Sequence, residues 1–160
     1  MSPTRTIGRR TPSRIGHQPF SILLVEDNLD HAELIRRGFG AHHIEDAIVH
    51  VRDGEEALDY LLCHGKYAQR KDRDNPHLIL LDLRLPKIDG LEVLKVIKNT
   101  EGICRIPVVI LTTSDAERDV SQAYDRRANS YVIKPLDFQT FIQLTKDLGL
   151  YWLGWNLHPC

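Results

Sequence analysis

Residues 78–90 read L-I-L-L-D-L-R-L-P-K-I-D-G. The leading apolar run suits a strand buried on both faces, yet it stops at Asp82, an ionisable residue between leucines. Taking a carboxylate out of water is costly unless it is paired, hydrogen-bonded or bound to a metal. Pro86 and Gly90 then mark a turn into whatever follows. An acid at the end of such a strand has to find partners elsewhere in the chain.

Working outward, short apolar runs alternate with amphipathic stretches. Residues 21–25 (SILLV) predict a first strand, and Asn28 an N-cap for a helix with Ala32, Leu34, Ile35 and Phe39 inward. Residues 47–51 predict a second strand. Asp53 and Glu56, three apart, give a capping-box start for a helix through Ala57, Leu58, Leu61 and Leu62. The charged stretch 66–75 (KYAQRKDRDN) reads as an exposed loop before the strand at 77–81. A helix over 89–99 turns Leu91, Val93, Leu94 and Ile97 inward, and residues 107–111 (PVVIL) predict a fourth strand. Ser114 and Glu117 repeat the capping-box spacing for a helix towards Arg127. Residues 131–133 predict a fifth strand, and a last helix starts near Asp137 and runs to about Leu148. Five apolar strands alternating with five helices predict an α/β fold, a doubly wound parallel sheet with helices on both faces and no second domain.

Right-handed crossovers bring the carboxyl ends of all strands to one edge, where open α/β sheets place their ligand sites. The residues just past the strands are Glu26-Asp27, Asp82, Thr112-Thr113-Ser114 and Lys134-Pro135. Three acids in one crevice repel, and a hard dication such as Mg²⁺ removes that difficulty while leaving room for phosphate oxygens. Lys134 adds a second positive charge. Phosphoryl transfer needs mainly positioning and charge stabilisation, which this set offers.

Composition narrows the class. The 160 residues are 42% hydrophobic and 27% charged, ordinary for one globular domain, and no apolar run approaches the roughly 20 residues of a membrane span. Arg9-Arg10 lacks a following apolar region, which argues against a twin-arginine export signal. Three scattered cysteines without a C-x-x-C pair exclude a disulfide framework and fit a cytoplasmic location. The adjacent His42-His43 lack the spacing of a metal site. Residues 1–19 carry four arginines and no acid, leaving 17 basic against 22 acidic residues in the remainder. That arm is expected to be disordered and solvated rather than to bind nucleic acid.

ILLVEDN, LILLDLRLPKIDG, IPVVILTT and SYVIKP together closely resemble the receiver domain of two-component response regulators, over about residues 20–148. The resemblance implies a flavodoxin-like sheet of strand order 2-1-3-4-5. It implies a phosphoacceptor signalling protein rather than an enzyme. In it Asp82 attacks the phosphohistidine of a sensor histidine kinase or phosphotransfer protein. Mg²⁺ would be held by Asp27, Asp82 and the Arg84 backbone carbonyl, with Glu26 acting through a water. Thr112 and Lys134 would bind phosphoryl oxygens, and a cis Lys134–Pro135 bond would aim the lysine. Thr112 and Tyr131 would form the switch that repacks the face made by the fourth helix, fifth strand and fifth helix. Arg84 and Ser114, two residues past Asp82 and Thr112, fall where the family tunes phosphoryl lifetime.

An aspartyl-nucleophile phosphatase generally needs a second acid where Arg84 stands. The other alternative, a non-phosphorylated receiver-like scaffold, is expected to lack the acceptor, an acid or the lysine, and this chain has all of them. No output domain follows the last helix, so a stand-alone receiver is expected. The tail at 149–160 holds both tryptophans. Tyr151 and Trp152 either pack onto the domain or make a protein contact. Aromatic enrichment at interface cores favours contact, in a homodimer that includes the fourth-helix, fifth-strand and fifth-helix face. LTTSDAERDVSQAY, ANSYVIKPLDFQTF, the Tyr-Trp-Leu tail and the loop at 66–75 resemble, more narrowly, regulators paired with phytochrome-type histidine kinases. That likeness implies a bacteriophytochrome as donor.

Overall fold

Strands of four or five residues suffice here because each is bordered by another. Strands β1 (Ile22–Val25), β2 (Ile48–Val51), β3 (Leu78–Leu81), β4 (Val108–Thr112) and β5 (Ser130–Ile133) form one parallel sheet in the order β2-β1-β3-β4-β5. This computed structural model describes residues 20–41, 47–71 and 74–156. The arginine-bearing arm at 1–19, His42-His43 and Cys160 lie outside the described residues, and so do the expectations attached to them.

β1, β3 and β4 are buried at every position, which explains why they read as unbroken apolar runs. Their side chains alternate between two cores. Ile22, Leu24, Leu78, Leu80, Val109 and Leu111 face α1 (Leu29–Gly40) and α5 (Phe138–Leu150). Leu23, Val25, Ile79, Leu81, Val108 and Ile110 face α2 (Gly54–Leu62), α3 (Gly90–Lys98) and α4 (Glu117–Asp125). The doubly wound, flavodoxin-like topology expected from the sequence is the one observed.

Capping fixes where most helices begin. Asn28 accepts from the backbone of Asp30 and His31, Asp53 from Glu56, Asp89 from Leu91 and Asp137 from Thr140. α4 departs from expectation. It begins at Glu117 behind Ala116, with no side-chain cap, because the Ser114 hydroxyl donates to Asp119 instead.

The charged stretch expected as an exposed loop is one, and its described residues are anchored to the end of α2. Its 3₁₀ turn (Gly65–Tyr67) leads to Arg70, which lies over the Tyr60 ring at 4.5 Å and donates to the carbonyls of Tyr60 and Leu61. The last helix does not stop near Leu148. α5 continues to Leu150 and into a π-helical turn (Tyr151–Trp155) that buries Trp152 against the α1/α5 core. Trp152 thus packs onto the domain, while Tyr151 and Trp155 remain exposed.

Gly90 allows α3 to start against the strand that ends in Asp82. A Cβ there would stand 2.2 Å from the Asp82 carbonyl oxygen and 2.6 Å from the Leu83 Cα, backbone atoms that cannot swing aside. Gly90→Ala is therefore expected to destabilise the fold by about 1–3 kcal/mol, the usual cost of overpacking. Urea unfolding of the variant beside the parent chain measures it.

Candidate functional site

Parallel register delivers the site. β1 and β3 pair from Ile22↔Leu78 to Val25↔Leu81, so the next residues, Glu26 and Asp82, leave the sheet side by side. β4 and β5 pair as far as Thr112↔Ile133, and Lys134 N–H donates to the Thr112 carbonyl at 2.7 Å. That bond carries the ladder one residue further and aims the lysine back over the sheet edge. The cis bond expected at Lys134–Pro135 is absent: no cis peptide occurs among the described residues. Trans is the ordinary preference of an X–Pro bond, and the ladder already directs the lysine.

The Lys134 ammonium is buried, with only 1% of its side chain exposed. It donates to Glu26 Oε2 at 2.5 Å and Asp82 Oδ2 at 2.8 Å, and it lies 3.0 Å from His31 Nδ1. The other Asp82 oxygen accepts from the Arg84 backbone N–H at 3.2 Å. Glu26 Oε1 accepts from the Asn28 N–H at 3.0 Å. Glu26, Asp27 and Asp82 each offer a carboxylate oxygen, and the three lie within 4.8 Å of one another, with Asp27 on the exposed rim. Three carboxylates against one ammonium leave a formal charge of −2, which one dication would cancel. An all-oxygen donor set on a solvent-facing rim suits a hard ion that keeps waters, so the residues fit a divalent metal.

Thr112 ends β4 fully buried, and its hydroxyl accepts from Ser114 N–H at 3.4 Å. Tyr131 is half-buried on β5, and its hydroxyl donates to the Ser114 carbonyl at 2.8 Å; burial lifts its pKa above 10.0. The Arg84 guanidinium points to α4 rather than into the crevice, donating to Asp119 at 2.7 Å. The fold thus brings Glu26, Asp27, Asp82 and Lys134 into one cluster, with Thr112, Ser114 and Tyr131 linked by hydrogen bonds alongside and Arg84 spanning to α4.

Sequence reasoning missed two neighbours. His31, in the first turn of α1, is the third partner of Lys134. Burial, then the Lys134 ammonium, lower its pKa from the usual imidazole value, which favours the neutral ring beside that ammonium. Asp119 is a buried acid on α4. Its position in a first helical turn reads as a dipole-favoured surface residue; only the three-dimensional contact with Arg84 sets it apart.

The response regulator receiver domain family matches residues 22–146. The chain is 49% identical over 141 residues to the probable methanogenesis regulatory protein FilR2 of Methanothrix harundinacea (strain 6Ac), covering 88% of each. The Mn²⁺-bound form of response regulator Rcp1 matches with a TM-score of 0.83 at 37% identity, over 89% of this chain and 100% of that one. The phosphorylated cyanobacterial phytochrome response regulator RcpA matches at 0.82 and 40% identity, over 88% and 99%.

Burial lifts the Glu26 carboxyl from 4.5 to about 7; Lys134 opposes the rise and the Asp82 charge adds to it. A carboxyl with a raised folded pKa binds its proton more tightly in the folded chain. Its stabilising contribution is therefore complete below about pH 4.5 and is lost as pH climbs through about 7. In chelator, stability is expected to fall between pH 5 and 7.5 by up to about 3 kcal/mol, and the melting temperature with it. Glu26→Gln should flatten that slope, as read by thermal melts across the range.

Proposed function

The chain belongs to the response regulator receiver family, and from that premise we propose that Asp82 is its phosphoacceptor. Receiver domains take a phosphoryl group from histidine kinases; they are signalling phosphoacceptors rather than enzymes. One observation carries the assignment. Asp82 stands at the carboxyl edge of β3 with one oxygen on the Lys134 ammonium and the other on the Arg84 N–H.

In the proposed reaction a carboxylate oxygen of Asp82 attacks the phosphorus of a donor phosphohistidine. The new O–P bond forms as the P–N bond breaks, and the imidazole leaves with the bonding pair and takes up a proton. Lys134 and the Thr112 hydroxyl hold phosphoryl oxygens as their charge shifts. Asp27, Asp82 and the Arg84 carbonyl, with Glu26 through a water, would hold Mg²⁺, which would supply the positive charge that lets an anionic nucleophile meet an anionic phosphoryl group. Movement of Thr112 onto that group, with Tyr131 following, then changes the surface of α4, β5 and α5. Arg84 and Ser114 set how long the acyl phosphate lasts.

The donor we favour is a phytochrome-type histidine kinase, and the support is the likeness to phytochrome response regulators. A cytoplasmic location goes with such a donor; no helix among the described residues is long and apolar enough to cross a membrane. We further propose a homodimer through α4, β5, α5 and the turn after it. The support is the exposure of Tyr124, Ile133, Tyr151 and Trp155, the last 76% exposed.

With Mg²⁺ and radiolabelled acetyl phosphate, the parent chain should incorporate label and Asp82→Asn none; labelling of the variant would overturn the acceptor assignment. Sedimentation velocity tests the dimer. Tyr151→Ser with Trp155→Ser leaves the core residue Trp152 intact, and unchanged association would remove the turn from the interface.

A further inference from the structure

Asp119 is a buried carboxylate that the reaction above does not use. Only 4% of its side chain is exposed, and its Oδ2 accepts from both Arg84 Nη2 at 2.7 Å and Ser114 Oγ at 2.6 Å. Each donor also has a second tie. The Arg84 backbone N–H donates to Asp82. The Ser114 N–H reaches the Thr112 hydroxyl, and its carbonyl accepts from Tyr131. One oxygen on α4 therefore connects the residue beside the acceptor to the loop that carries Thr112 and to the tyrosine of β5.

We propose that Asp119 is a positioning residue that latches Arg84 onto α4, and that phosphorylation of Asp82 draws Arg84 from Asp119 to the phosphoryl group. This rests on the reading of Asp82 as the acceptor. The Arg84 side chain is 61% exposed and its backbone already borders Asp82, so a long side chain free of the core has both anions within its choice. A guanidinium matches phosphoryl oxygens as well as it does a carboxylate, and the phosphoryl group carries more charge. Once Arg84 leaves, Asp119 keeps only the Ser114 hydroxyl as a partner, and a buried carboxylate without its cation is strongly unfavourable. The first turn of α4 and the Ser114 loop then shift to give it water, and Tyr131 loses its fixed acceptor. The ion pair so converts a charge placed on Asp82 into displacement of α4.

Beryllofluoride with Mg²⁺, a mimic of the phosphoryl group on a carboxylate, tests this by fluorine NMR titration. Asp119→Asn keeps the shape and removes the competing charge, so it should tighten analogue binding about threefold or more. In an Arg84→Ala background the same substitution should give no gain, which a merely structural role for Asp119 does not require. Equal affinity of Asp119→Asn and parent, or a gain that persists without Arg84, overturns the latch. In the parent chain itself, the analogue should speed amide hydrogen exchange at 117–120, and unchanged exchange there also overturns it. Asp82→Ala is the separate control: uptake by that variant equal to the parent's sinks the acceptor reading, whereas its loss leaves that reading standing whatever Asp119 does.

Discussion

The buried contact of the Lys134 ammonium with Glu26 and Asp82 is the constraint on which the rest of the site depends. It joins β5, β1 and β3 at their carboxyl ends, across 108 residues of sequence in one case and 52 in the other. Removing such charges from water costs several kcal/mol each, and mutual attraction repays it only when geometry and hydrogen bonding are good. Here each carboxylate also accepts a backbone N–H, from Asn28 and from Arg84. The cluster therefore adds little net stability but tolerates few arrangements, since shifting any one strand would strand a charge. Residual negative charge then makes the crevice receptive to a dication. The ion pair both holds the strands in register and leaves the site underneutralised.

The fold was legible because its three central strands, β1, β3 and β4, are buried on both faces. An unbroken apolar run ending in an acid has few other readings, and Asp82, Glu26, Asp27 and Lys134 could be placed from strand ends alone. Helix starts were equally legible at Asn28, Asp53 and Asp137, where the capping side chain acts on its own next turn. Failures came where a side chain chose a distant partner over a local one. Ser114 has the spacing of a cap but gives its hydroxyl to Asp119. Arg70 looks like one charge in a solvated run but closes the end of α2. His31 and Asp119 gave no local signal at all, since their roles consist of contacts with Lys134 and Arg84. The extension of α5 was hidden for a different reason: Gly149 and Gly154 are poor helix formers, and burial of Trp152 against the α1/α5 core outweighs their low propensity.

The helices are not held equally firmly, and the difference falls along functional lines. α1 and α5 pack so closely that a Cβ on Gly38 would overlap the Thr145 side chain, and both add large apolar residues to one core. α3 buries Leu91, Val93, Leu94 and Ile97. α4 buries only Ala123 and Asp119. At roughly 25 cal/mol per Å² of apolar area, one methyl group fixes a nine-residue helix weakly. Polar contacts make up the difference: Arg84 and Ser114 to Asp119, and Arg126 just beyond α4 to the Leu91 carbonyl at 2.7 Å. Hydrophobic burial is indifferent to a charge placed on Asp82, whereas ion pairs respond to it directly. An element held by an ion pair and hydrogen bonds beside the acceptor is thus the one whose position chemistry at the acceptor is able to reset, and elements held by packing stay where they are.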